Sequence, residues 1–67
     1  MEDLSRKRIA LRVIELRTKN NLTQEQLADA TQLSINTIKG IEDARFSVKT
    51  DILERVASCL GVRVDLI

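Results

Sequence analysis

Residues 22–42, LTQEQLADATQLSINTIKGIE, constrain the fold most because they contain two helix-start signals in close succession. Thr23 is followed three residues later by Gln26, which fits a capping box. In that motif the threonine hydroxyl accepts from the backbone N–H of the third helical residue, and that residue's side chain reaches back to the cap. Ser34 can start a second helix in the same way. Two short capped helices joined by a tight turn predict a helix-turn-helix.

The chain has 67 residues, which is enough for one small domain, residues 1–67. A core of this size contributes only about 3–5 kcal/mol of net stability, so such chains often rely on a second subunit. The absence of proline and the presence of only two glycines favour helices. We therefore predict an all-α fold: a compact bundle of four to five helices, with its helix-turn-helix core at residues 22–43.

Composition argues against catalysis, metal binding and membrane insertion. The sequence has no histidine and a single cysteine, Cys59, which belongs to an apolar helix face and has no imidazole to activate it. We expect no catalytic residue, metal site, cofactor or small-molecule substrate, and hence no enzyme. No apolar run approaches the roughly 18 residues of a membrane span, and no signal peptide is recognisable, so we expect a cytoplasmic protein.

Periodicity and capping signals place four helices along the chain. The expected spans run from near Asp3 or Ser5 to about Asn20, from Gln24 to Thr31, from Ser34 to Asp43, and from a Thr50 cap to a Gly61 stop. Apolar residues at helical spacing should form one core. They are Ile9, Val13, Leu16, Leu27, Ala28, Ile38, Ile41, Ile52, Leu53, Val56, Ala57 and Leu60.

The last six residues, Val62 to Ile67, change period, because Val62, Val64 and Leu66 alternate with charged residues. This alternation predicts a strand. A single strand would leave its backbone groups unpaired. Two alternatives stay open: a short fifth helix, or a strand that pairs with the same strand of a second copy across a two-fold axis. We favour the second, with Val62, Val64 and Leu66 as dimerisation residues.

The outer face of the second motif helix carries side chains that suit DNA bases. Asn36 can donate to and accept from an adenine edge, and Lys39 can reach a base or a phosphate. Ile35 can meet a thymine methyl or simply cover the turn. Gly40 inside a helix is costly, which close approach to DNA would explain, as would close packing against another protein segment. We therefore predict Ile35, Asn36, Lys39 and Gly40 as base-reading residues.

Charge is weaker support for DNA binding, since the net charge is only +1. Residues 1–22 carry six basic and three acidic side chains, whereas residues 23–45 carry two and four. Gln24 can reach a phosphate at the positive end of its helix. The predicted phosphate-binding residues are Thr23, Gln24, Ser34, Thr37, Arg45 and Lys49.

The sequence resembles the Cro/CI-type helix-turn-helix family of phage-repressor-like bacterial regulators, from about Ala10 to Val62. The matching positions are Arg17, Leu22-Thr23-Gln24, Leu27-Ala28, Ser34, Ile38, Ile41-Glu42 and Leu60-Gly61-Val62. The resemblance implies a four- to five-helix bundle that binds operator DNA as a dimer, with its third helix in the major groove. It also implies a structural ion pair between Arg17 and Glu42.

Two positions depart from the family pattern: Gln32 stands where a turn glycine is common, and Ala44 where a glycine commonly follows the third helix. Each must adopt a costly left-handed conformation, unless the helices run on. We predict a sequence-specific, homodimeric transcriptional regulator, a repressor acting at a palindromic operator on double-stranded DNA. The alternatives are an antitoxin-type module that binds a toxin protein and autoregulates its operon, and a helix-turn-helix scaffold that no longer binds DNA.

Overall fold

A computed structural model describes residues 2–45 and 47–62. Within these residues the chain forms four helices: α1 (Glu2–Lys19), α2 (Gln24–Thr31), α3 (Ile35–Glu42) and α4 (Thr50–Cys59). Helix α3 packs against both α1 and α2, and α4 packs against α2. The all-α prediction is confirmed. No helix in the described part of the chain combines the length and the apolar character needed to cross a bilayer.

The N-terminal caps of the motif follow the sequence signals. Thr23 is extended, with φ −80° and ψ 166°, and its hydroxyl accepts from the Gln26 N–H at 3.0 Å. The Gln26 side chain accepts in turn from the Thr23 N–H at 2.9 Å, which completes the predicted capping box. Ser34 caps α3 by accepting from the Thr37 N–H at 3.1 Å. Both short helices therefore begin where the sequence predicts.

The predicted cap of α4 is wrong. Thr50 is the first residue of the helix, and Lys49 occupies the N-cap position without a side-chain hydrogen bond. Asp51 lies in the first turn, where its carboxylate accepts from the Ile52 N–H at 3.0 Å. The negative charge at the helix N-terminus, which is favourable to the dipole, partly replaces the missing hydroxyl cap.

Each helix is followed within two residues by one with a positive φ angle: Asn21 at 58°, Gln32 at 60°, Ala44 at 56° and Gly61 at 77°. After each of these residues the next N–H reaches back to a carbonyl in the last turn, as in a Schellman motif. Leu22 bonds to Arg17, Leu33 to Ala28, Arg45 to Gly40 and Val62 to Ala57, all at 3.0 Å. Gln32 and Ala44 thus adopt the left-handed conformation. The alternative, in which the helices continue through these residues, does not occur.

The core lies where the four helices meet. Leu27, Ile38 and Val56 from three different helices are completely inaccessible to solvent. Most of the predicted core is buried, while Ile9 and Ile52 are half-buried and pack against it. Val62 also packs against this core, and Val64 and Leu66 lie outside the described residues. The predicted strand and fifth helix therefore stay predictions.

Candidate nucleic-acid interface

The N-terminal turns of α2 and α3 carry four of the predicted phosphate-binding residues. Thr23 and Ser34 are exposed caps, and Gln24 and Thr37 are half-buried. The Thr23 hydroxyl accepts within its cap, so its own O–H can still donate to an anion. The hydroxyl oxygens of Ser34 and Thr37 lie 2.9 Å apart, so one O–H bonds to the other and one stays available. Free backbone N–H groups at both helix starts add donors.

The predicted base-reading residues on α3 differ in exposure. Asn36 and Lys39 are exposed, so their polar ends can meet a partner surface. Ile35 is half-buried and packs against the core, which fits the alternative that it covers the turn. Gly40 is buried, and its role in base reading stays a prediction. Asn36 and Lys39 are thus the exposed members of the predicted base-reading set.

Two predicted cations lie beyond the end of α3. Arg45 and Lys49 are both exposed. The Arg45 guanidinium donates to the Asp43 carboxylate at 2.8 Å, with the two side chains 63% and 55% exposed. An ion pair as exposed as this contributes little to stability. To bind a phosphate, Arg45 must give up this carboxylate partner or share its guanidinium with it.

A buried polar network fixes the motif to α1. Arg17 donates through Nε to one Glu42 carboxylate oxygen at 2.7 Å and through Nη2 to the other at 3.1 Å. A third guanidinium nitrogen donates to the Leu22 carbonyl at 2.7 Å, in the segment between α1 and α2. The Arg17 and Glu42 side chains are only 15% and 4% exposed. The ion pair that the family resemblance implies is present, and it joins α1 to the last residue of α3.

Gln24 belongs to the same network, which the sequence did not reveal. Its side-chain amide donates to Glu42 at 3.0 Å. Because a carboxylate only accepts hydrogen bonds, the Gln24 nitrogen must point toward Glu42. One hydrogen of that amide stays available for another acceptor. The network thus extends from the buried ion pair to the first residue of α2, at the predicted phosphate-binding end.

Comparison with known proteins agrees with this geometry. The helix-turn-helix family model matches residues 13–67, which is most of the chain. The chain is 36% identical over 59 residues to a protein named immunity repressor protein of Bacillus phage phi105, an alignment that covers 88% of this chain and 41% of that relative. The chain therefore spans about two fifths of the length of this relative. No solved structure matches. From the capped α2–turn–α3 unit, its ion-pair support and the family match, we conclude that the chain belongs to the helix-turn-helix family of DNA-binding domains.

Proposed function

We propose that this chain is a homodimeric transcriptional repressor that binds a palindromic operator through α3. The observation that carries the proposal is the position of Asn36 and Lys39. Both are exposed on α3, and Ser34 and Thr37 at the start of the same helix offer a donor for a phosphate. A relative named as an immunity repressor supports the repressor role.

In this proposal α3 enters the major groove, where each base pair presents a distinct pattern of donors and acceptors. The Asn36 side-chain amide pairs with the N6 and N7 atoms of an adenine, and Lys39 donates to a base or to a nearby phosphate. Ile35, which uses one side to cover the core, can present its remaining surface to a thymine methyl group. Gly40, which is buried, offers no side chain to a base.

The N-terminus of α2 holds the phosphate backbone in the same proposal. Gln24 donates one amide hydrogen to Glu42 and offers the second to a phosphate oxygen. The Thr23 hydroxyl and the positive end of the helix dipole act on the same anion. Because Glu42 is itself fixed by Arg17, the Gln24 donor is held in place before DNA arrives.

Repression follows from occupying a promoter, and two copies bind two half-sites about one helical turn apart, roughly 34 Å. Dimerisation through Val62, Val64 and Leu66 is part of the proposal. A dimer doubles the number of base and phosphate contacts, which matters for a chain whose motif carries little positive charge.

The reader assignment is tested by comparing Asn36→Ala with Lys49→Ala on the operator and on operators with single base-pair changes. We expect Asn36→Ala to lose about 1–3 kcal/mol of discrimination at one position of each half-site. Lys49→Ala should weaken binding to all duplexes alike and reduce the salt dependence by about 0.9 per phosphate contact. Equal losses on every duplex for both variants would refute the role of Asn36.

A further inference from the structure

We propose that Asp43 is an affinity-determining residue, which lowers the affinity of the domain for DNA by holding Arg45 and by repelling phosphates. The inference rests on the proposed function, because it assumes that Arg45 lies at the DNA interface.

The backbone at the end of α3 places the two charges side by side. Asp43 caps the helix, Ala44 has a left-handed φ of 56°, and the Arg45 N–H bonds back to the Gly40 carbonyl at 3.0 Å. This Schellman motif turns the chain sharply between Asp43 and Arg45. The turn brings the two side chains together, and the Arg45 guanidinium donates to the Asp43 carboxylate at 2.8 Å. Forming the pair therefore costs less conformational entropy than pairing two unconstrained side chains.

Helix stability gives no reason for a carboxylate at this position. The C-terminus of a helix carries partial negative charge, so an acidic side chain there is unfavourable. The ion pair with Arg45 offsets this effect, but the pair is more than half exposed and therefore weak. Glu42, the neighbouring acid, is different because it is buried and neutralised by Arg17. Asp43 is thus an exposed negative charge directly after the helix that we propose enters the groove.

The effect on DNA binding should be large because the motif carries little positive charge. Residues 23–45 carry only two basic side chains, Lys39 and Arg45, and Arg45 is the one that this structure pairs with an acid among the described residues. To bind a phosphate, Arg45 must leave Asp43 or share its guanidinium with it. The Asp43 carboxylate then remains close to the phosphate and repels it.

Replacing Asp43 with asparagine tests the inference, because the side chain keeps its shape and loses its charge. Full-length wild type and Asp43→Asn are titrated onto a fluorescent operator duplex and a scrambled duplex at several salt concentrations. We expect Asp43→Asn to bind both duplexes about three- to tenfold more tightly, and the slope of log K against log salt to steepen by about 0.9 for each released Arg45.

Two control variants separate this local effect from net charge. Asp29→Asn removes one negative charge from an exposed position on α2, and we expect it to change affinity much less. In an Arg45→Ala background, Asp43→Asn should keep only the smaller part of its gain, which comes from relief of the direct repulsion of phosphates, because no guanidinium is released. Thermal unfolding of each variant confirms that the fold is retained.

Three results would overturn the inference. They are unchanged or weaker operator binding by Asp43→Asn, an equal gain from Asp29→Asn, and a full gain without Arg45. Weaker binding confined to the operator would mean that Asp43 accepts from a cytosine N4 group and reads a base. If wild type bound neither duplex, the proposed function itself would fail, and this inference with it.

Discussion

Glu42 is the residue whose environment most limits what can replace it. Its carboxylate accepts two bonds from Arg17 and one from Gln24 while its side chain is only 4% exposed. A buried charge costs free energy unless it is paired and hydrogen-bonded, and here both oxygens are satisfied. Removing the charge leaves the half-buried Arg17 guanidinium without a counter-ion.

We predict that Glu42→Gln lowers the free energy of unfolding by about 3–5 kcal/mol, because breaking a buried ion pair from one side leaves the other charge uncompensated. For a chain of this size the loss approaches the whole net stability. Urea unfolding followed by circular dichroism at 25 °C measures it. The matched control is Glu15→Gln, since Glu15 pairs with Arg12 but its side chain is 63% exposed. That variant should lose less than about 1 kcal/mol of the free energy of unfolding. Equal losses for the two variants would show that burial of the ion pair does not determine its contribution to stability.

At the residue scale, contacts between distant helices were harder to predict from the sequence than local ones. The Arg17–Glu42 pair was implied by resemblance and is present. The Gln24 bond to Glu42 was missed because it depends on how α2 approaches α3, which no local pattern encodes. Gly40 was assigned to the outer face from helical spacing. In the structure Gly40 is buried, and the N–H of Arg45 in the following loop donates to its carbonyl at 3.0 Å.

In the described part of the chain, residues other than glycine make the turns that connect the four helices. Asn21, Gln32 and Ala44 adopt left-handed conformations that carry a penalty for any residue with a Cβ atom. Asparagine adopts this conformation more readily than most residues, whereas alanine has no polar side chain that could offset the penalty. Ala44 is therefore a position where glycine would relieve backbone strain.

We predict that Ala44→Gly raises the free energy of unfolding by about 0.5–1 kcal/mol. Relief of the left-handed penalty should exceed the extra entropy that glycine has in the unfolded chain. In a domain of this size the melting temperature should rise by about 2–8 °C. Ala30→Gly is the control, because Ala30 is an exposed alanine within α2 and glycine should destabilise it. A lower melting temperature for Ala44→Gly would contradict the prediction.

Element boundaries followed the sequence wherever a local hydrogen bond decides them. The capping box at Thr23 and the Ser34 cap occur as predicted, because the donor and acceptor lie within three residues of each other. The Thr50 cap failed although threonine is a good N-cap residue. The helix begins one residue earlier than this preference predicts, with Lys49 at the N-cap position.

The whole molecule combines a small core with a weakly charged binding face. The core draws buried residues from all four helices, so that the motif is fixed to the rest of the bundle. The net charge of the chain, +1, gives little general attraction to DNA. By the further inference, Asp43 reduces that attraction at the proposed interface. In the proposed function, tight binding therefore depends on base contacts and on a second copy. Dimerisation through residues 62–67 remains a prediction, because residues 63–67 lie outside the described part of the chain.

The measurement that tests the central claim most directly is a mobility-shift selection from a pool of random duplexes at moderate salt, using the full chain. We predict enrichment of an inverted repeat whose half-site centres lie about 10–10.5 base pairs apart, with an adenine in each half-site that Asn36→Ala no longer selects. No enriched sequence, or a single half-site without a symmetric partner, would contradict a dimeric, sequence-specific repressor.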